Sequence, residues 1–233
     1  LHPVTADVIA RAPKLKLIQK FGVGVNTIDL EAAPARGIPV CNMPGANSRA
    51  VAEMTLLLML SALRKQPRID KVCRSGQWQV DKTTQESFDE IYGSTIGLVG
   101  FGDVPVLLAP ILEAMGANVI YHSRTRKPGH FQVCSLEELL ARSDIVSLHI
   151  PLTNETRHIM GREKLASMKP GSILINAARG PLVDEQALYQ SLTTGHLSAA
   201  GLDVFENEPV AAGNPLLALD NVAVTPHVAW LTN

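Results

Sequence analysis

The chain has little cysteine, almost no net charge and no long apolar run, and each shortage closes off a class of function. Its three cysteines, Cys41, Cys73 and Cys134, are odd in number and lack metal-ligand spacing. They read as small buried hydrophobes in a reducing compartment, the cytoplasm, and no metal site is expected. Lysine and arginine number 21 against 22 aspartates and glutamates, a formal net charge of −1, and no basic block stands out. A nucleic acid partner is therefore not expected. The most apolar run, Met54 to Leu63, is flanked by Glu53 and by Arg64 and Lys65, and it falls well short of the roughly 20 residues that cross a bilayer. It reads as a packing helix rather than a membrane anchor, and no secretory signal is visible at the start. What remains is a globular chain of 233 residues whose 46% hydrophobic content can fill a core.

Short apolar runs suited to parallel strands alternate with amphipathic stretches: Thr95 to Val99, Asn118 to Tyr121, Asp144 to His149, Ser172 to Asn176, Ala199 to Val204 and Val222 to Thr225. Six strands spaced by helices predict an α/β fold with a doubly wound parallel sheet, the Rossmann arrangement. Some helix ends are legible too. Asp184 can cap a helix through Ala187 and Leu192 that Gly195 stops, and Ser135 can cap Leu136 to Ala141 with Glu138 completing a capping box. Ahead of the sheet, Leu15 to Lys20 and Ile38 to Cys41 read as strands and Ile28 to Arg36 as a short helix, the remnant of a smaller α/β unit. The expected division is 1–43 for that partial substrate-binding unit, 44–225 for a dinucleotide-binding unit opened by the apolar helix Ala50 to Leu63, and 226–233 for a segment returning to the first.

Three polar side chains late in the chain suit hydride-transfer chemistry on a 2-hydroxy acid. Arg179, in Asn176-Ala177-Ala178-Arg179-Gly180, offers a planar charged group that can grip a carboxylate bidentately and polarise the neighbouring carbonyl. His227, in Thr225-Pro226-His227, can give a proton to a nascent alkoxide and take it back in the reverse direction. Glu208, in Asp203-Val204-Phe205-Glu206-Asn207-Glu208-Pro209, is the carboxylate that would favour the imidazolium and fix the ring's tautomer. Singly, each has a plainer reading: a solvated arginine, a loop glutamate, a satisfied core histidine.

Together, in order and at these separations, the three segments resemble the D-isomer-specific 2-hydroxyacid dehydrogenase family, and the resemblance runs over nearly the whole chain. It implies a two-domain reductase whose long apolar helix packs against its twin in a homodimer. It implies that backbone N–H groups of Val23 and Gly24, in the loop Phe21 to Asn26, hold the substrate carboxylate opposite Arg179. Asn26 stands where most relatives have Asp and reads as a structural cap. Thr55, His149, Pro151, Thr156, Ala177, Ala178, Asp203 and Ala229 would face the cofactor, Thr156 near a phosphate and Asp203 at the nicotinamide carboxamide. Trp230 suits the glyoxylate and hydroxypyruvate reductase branch. Family members begin before the counterpart of Leu1 and continue past that of Asn233, so the sequence reads as part of a longer protein.

The nucleotide site departs from pattern. Gly100, Phe101, Gly102, Asp103 and Val104 follow the first strand of the sheet where a dinucleotide fingerprint belongs, with Gly100 for the tight turn and Gly102 for close approach of a pyrophosphate. The third glycine is missing; Pro105 takes its place, which predicts a late start for the following helix, and Pro110 predicts a kink costing about 3 kcal/mol. After the second strand the acid that accepts from the ribose 2′-hydroxyl in NAD-preferring domains is also missing. Ser123 and Arg124, with Arg126 beside them, would instead bind and neutralise a 2′-phosphate, so NADP(H) is favoured and NAD(H) possible; a solvated basic loop is the plainer alternative. The expected function is reduction of a small 2-keto acid, glyoxylate or hydroxypyruvate, to the D-2-hydroxy acid. The incomplete glycine pattern keeps open a dinucleotide-sensing or protein-interaction scaffold of the same fold, as in the family's corepressors, or a relative that no longer binds cofactor.

Overall fold

The computed structural model describes residues 3–232; Leu1, His2 and Asn233, the outer ends of the expected first and last segments, lie outside the described residues. A small unit comes first. Helix α1 (Ala6–Ala10), strand β1 (Ile18–Gln19), helix α2 (Ala32–Ala35) and strand β2 (Val40–Cys41) surround their own core of Ile9, Ile18, Ile28, Ala33 and Ile38, with β1 and β2 parallel. These elements are shorter than the runs that predicted them. A two-stranded sheet has few neighbours to extend it, and α2 starts late because the Asp29 carboxylate accepts from the backbone N–H groups of Glu31 and Ala32, stopping the predicted helix from beginning at Ile28.

The chain then enters α3 (Ser48–Leu63), α4 (Gln66–Arg74) and α5 (Lys82–Glu86), followed by β3 (Thr95–Val99), α6 (Asp103–Ala114), β4 (Asn118–His122), β5 (Gln132–Val133), α7 (Leu136–Arg142), β6 (Ile145–Leu148), α8 (Arg162–Ala166), β7 (Ile173–Asn176), α9 (Glu185–Thr193), β8 (Ala199–Leu202) and β9 (Val222–Val224). Strands β3 to β9 form one all-parallel sheet in the order β5-β4-β3-β6-β7-β8-β9. Six of the seven strands coincide with the predicted runs, and the doubly wound α/β expectation holds. The central strands are buried along almost their whole length, as a parallel sheet covered on both faces requires. One face packs on α3 and α6, the other on α7, α8 and α9, each through its own continuous core.

The caps are partly as expected. Asp184 accepts from the Ala187 N–H, and Gly195 follows α9 with φ +76°. Ser135 accepts from the Glu138 N–H, but the Glu138 carboxylate turns to Arg142 at 2.5 Å, so only half of the expected capping box forms. The i,i+4 ion pair wins because it joins two full charges. The predicted late start of α6 is also corrected: Gly102 caps it and the helix begins at Asp103. Proline as its third residue forfeits nothing, since the first-turn N–H groups have no intrahelical partner. The helix runs on through Pro110, which lies on the exposed side like Val106, whose carbonyl it leaves without the helical bond; water can meet that group.

The order of the strands sets the place of the site. The chain winds outward in one direction from β3 to β4 and β5, and in the other through β6 to β9, so the crossovers part between β3 and β6. The crevice beyond their carboxyl ends is where ligands bind in such sheets.

Candidate active site

Nearly every residue expected to act stands just past the carboxyl end of a parallel strand. Gly100 to Val104 follow β3, Ser123 and Arg124 follow β4, His149 and Pro151 follow β6, Ala177 to Arg179 follow β7, Asp203 follows β8, and Thr225, His227 and Ala229 follow β9. Val23 and Gly24 follow β1 in the small unit, and face them.

The turn after β3 is shaped for a dinucleotide. Gly100 has φ +97°, its N–H donates to the His122 carbonyl at 2.8 Å, and a side chain there would run into the His149 backbone. No other residue fits without displacing a neighbouring strand end. A Cβ on Gly102, by contrast, would meet open space, on the side from which a pyrophosphate would approach the start of α6. Phe101 is buried and stacks on Tyr121, with ring centroids 4.1 Å apart. Asp103 is exposed at the mouth, a negative charge beside the place for phosphates. His149 bonds Ser147 Oγ through Nε2 at 2.9 Å, and burial pushes its pKa down to about 4, so it stands neutral. Thr156 Oγ1 donates to the Pro151 carbonyl and accepts from the Thr153 N–H, fixing that loop. Thr55 is fully buried in α3 with its hydroxyl bonded to the Val51 carbonyl.

Arg179 reaches across to the small unit. Its Nε donates to Asn26 Oδ1 at 3.2 Å and its Nη1 to the Ala178 carbonyl at 2.6 Å, while Asn176 shapes the turn by donating to the Arg179 carbonyl and accepting from the Ala178 N–H. Asn26 is thus a buttress for Arg179 rather than the structural cap expected of it. An amide steadies the guanidinium without neutralising it. Burial lowers the Arg179 pKa, with Glu208 pulling the other way, but a guanidinium stays charged at any working pH. A Cβ added to Gly24 would collide with the Arg179 guanidinium, so the glycine loop and the arginine share one small space.

His227 Nδ1 lies 2.6 Å from Glu208 Oε2, and Glu208 Oε1 accepts from the Phe205 N–H at 3.0 Å. Burial acts to raise the Glu208 pKa, but the bonds from His227 and Phe205 and the charges of His227 and Arg179 outweigh it and hold the carboxyl below its ordinary range. The stabilisation from this ionised carboxylate is present at neutral pH and fades as pH falls through the lowered value. A carboxylate only accepts, so Nδ1 carries the proton and Nε2 is the ring nitrogen left unspent. The pair is held by residues the sequence had not marked for that task. His227 has φ +55°, a left-handed conformation that is uncommon outside glycine. Asp203, fully buried, fixes it: its carbonyl accepts from the His227 N–H, and its carboxylate accepts from Thr225 Oγ1 at 2.5 Å and from the N–H groups of Val228 and Ala229. Trp230 Nε1 closes the turn on the His227 carbonyl at 2.9 Å. A second cluster, Arg157 and His158 on Glu206 Oε1, braces the loop beside Glu208 from the β6 side; nothing in the spacing of these residues pointed to it.

A parallel sheet with this turn after its first strand defines a dinucleotide-binding fold, with a hydrogen-bonded histidine–glutamate pair past its last strands. Residues 56–229 match the family described as "D-isomer specific 2-hydroxyacid dehydrogenase, NAD binding domain", and the chain belongs to that family. It is 45% identical over 230 residues to a D-3-phosphoglycerate dehydrogenase of Methanocaldococcus jannaschii, covering 96% of this chain and 43% of that protein. It is 39% identical to a glyoxylate reductase of Korarchaeum cryptofilum, covering 97% of this chain and 70% of the other. The crystal structure of a glyoxylate reductase from Paecilomyes thermophila superposes with a TM-score of 0.91 at 36% identity, covering 99% of this chain and 70% of that one. The chain thus spans less than half the length of the phosphoglycerate dehydrogenases it matches. The family assigns a nicotinamide dinucleotide as cofactor. Among the described residues no group of side chains could hold a metal ion, and no helix is long and apolar enough to cross a membrane.

Proposed function

We propose that this chain carries the nucleotide-binding part, and some of the substrate-binding part, of a reductase that converts a small 2-keto acid, glyoxylate or hydroxypyruvate, to the D-2-hydroxy acid with NADPH. The observation that carries the reading is the His227–Glu208 pair at 2.6 Å, close enough to Arg179 for the arginine's charge to act on Glu208. Bound along the strand ends, the dinucleotide would supply the hydride. Arg179 and the backbone N–H groups of Val23 and Gly24 hold the substrate carboxylate; His227 Nε2 gives its proton to the carbonyl oxygen as the alkoxide forms, and Glu208 offsets the charge on the imidazolium. In the reverse direction the ring takes the proton back. For the cofactor, Gly100 to Val104 would lie along the pyrophosphate, Ser123 and Arg124 would meet the 2′-phosphate, and His149, Pro151, Thr156, Ala177, Ala178 and Ala229 would line the remainder, while Thr55, fully buried with its hydroxyl bonded to the Val51 carbonyl, backs the site from within α3. Asp203, fully buried with three protein donors on its carboxylate, would support the carboxamide side of the site through the His227 turn it fixes.

The test is a paired titration with NADPH and NADH followed by a screen of glyoxylate, hydroxypyruvate and the phosphorylated hydroxypyruvate related to the phosphoglycerate enzymes. Tighter NADPH binding and turnover of an unphosphorylated acid are expected; binding of neither dinucleotide contradicts the reading and favours a scaffold. In the same titration Asp103→Asn is expected to tighten both dinucleotides by about two- to fivefold, the scale of one charge at an exposed helix end, while Pro105→Gly changes little.

A second copy of the chain is proposed as partner, through α3 and α4. Leu57 on α3 is half exposed, α4 has no buried residue, and Trp78, 90% exposed, borders an open groove with Ile69, Val72 and Phe88. A monomer by light scattering at micromolar concentration would contradict this. The cysteines are not the buried hydrophobes expected, since Cys41 and Cys73 are exposed and Cys134 is half-buried, but as free thiols they suit the cytoplasm as its compartment.

A further inference from the structure

The loop that carries Ser123, Arg124 and Arg126 leaves β4 at His122 and is exposed from Arg124 onward. The connection from β4 to β5 runs nine residues, Ser123 to Phe131, and a surface loop of this composition has no reason of its own to hold one shape. Its first half is closed by a single side chain. The Tyr121 hydroxyl accepts from the Lys127 N–H at 3.0 Å and donates to the Lys127 carbonyl at 3.3 Å, so both backbone groups of Lys127, midway along the loop, are held at its beginning. Tyr121 can serve as an anchor because it is packed on several sides. Its side chain is 2% exposed, its backbone carbonyl accepts from the Cys134 N–H of the strand end beside it, and its ring lies against Phe101 in the Gly100–Gly102 turn. Phe131 also meets Phe101, tilted, with centroids 5.9 Å apart. One buried aromatic therefore ties the turn meant for the pyrophosphate to the loop meant for the ribose.

We propose that Tyr121 is a positioning residue for cofactor choice: its hydroxyl clasps Lys127 and so holds Ser123 and Arg124 where they meet the adenosine 2′-phosphate. The inference rests on the NADPH reading given above. Tyr121 is too buried to touch the cofactor and acts only through the loop. Its ring and its hydroxyl have separate tasks, the ring supporting the turn and the hydroxyl the loop, and Tyr121→Phe removes the second alone.

In that variant the loop gains freedom that binding of the 2′-phosphate must remove again. Two lost hydrogen bonds predict NADPH binding weaker by about tenfold, while NADH, which has no group for Arg124 to grip, changes by less than about twofold. Trypsin should cut after Arg124 and Arg126 faster than in the parent chain, at an unchanged melting temperature. In an Arg124→Ala background, Tyr121→Phe should cost NADPH nothing further, since the two act in series. Equal weakening of both dinucleotides, or a full effect that persists without Arg124, would overturn the proposal and leave Tyr121 as a packing residue. If the parent chain binds NADPH no tighter than NADH, the cofactor reading falls and cofactor choice with it. The tryptic pattern distinguishes the two failures: unchanged cleavage in Tyr121→Phe shows that the hydroxyl does not order the loop.

Discussion

His227→Ala should lower turnover by about 10²- to 10⁴-fold, the usual scale for a positioned general acid or base, while dinucleotide affinity stays within about twofold. The separation between the two effects is what the geometry dictates. The imidazole is bonded to Glu208 on one side and free at Nε2 on the other, and none of the turns placed to receive the dinucleotide depends on the ring. The main chain at His227 is held by Asp203 through backbone groups that alanine retains, although alanine tolerates φ +55° no better than histidine does. A modest fall in melting temperature is thus compatible with the assignment, and comparable turnover is not. Glu208→Gln should fall between the two, because the amide can still bond Nδ1 but no longer balances a charge. Steady-state kinetics with fluorescence titration of the cofactor would check both variants.

Arg179→Ala should reduce kcat/KM by roughly 30-fold to several thousandfold, corresponding to about 2–5 kcal/mol for removing one partner of a desolvated charge pair. A smaller substitution offers a cleaner test of the same group. Gly24→Ala leaves Arg179 in the sequence but places a methyl where its guanidinium lies. The far end of a flexible side chain is the part that can give way, so the fold should survive while the guanidinium leaves its place against Asn26. The expected outcome is a KM raised by about tenfold or more, since part of the carboxylate grip is lost, with melting temperature nearly unchanged. An unaltered KM would show that the carboxylate is held elsewhere.

Much of the architecture could be read from the sequence because a parallel sheet covered on both faces must be written in long apolar runs, and six of them were. β5 escaped because Gln132–Val133 is a two-residue edge strand with one polar member, too short to show any period. Arg179, Glu208 and His227 were legible as residue types matched to a chemistry, and the family resemblance supplied their grouping. Their supports were not. Asn26 stands 153 positions from Arg179, and no local pattern signals such a contact. Asp203 was legible as a strand-end acid, but its grip on the His227 turn depends on β8 and β9 lying side by side. Pro105 misled on one point: it was expected to delay α6, but the helix begins at Asp103 with Pro105 as its third residue, in the one turn that has no use for the N–H it lacks.

The Asp203 clamp also divides the labour of the molecule unevenly along its length. Every side chain that would shuttle or steady a proton lies within the 25 residues from Asp203 to His227, on the ends of two adjacent strands, whereas the hold on the substrate is split between Arg179 and a loop near the beginning of the chain. The proton machinery is therefore a compact cassette, tolerant of wide divergence in the lobe opposite. A lineage built on this plan can exchange one acid for another by altering the far lobe, and need never rebuild the part that performs the transfer.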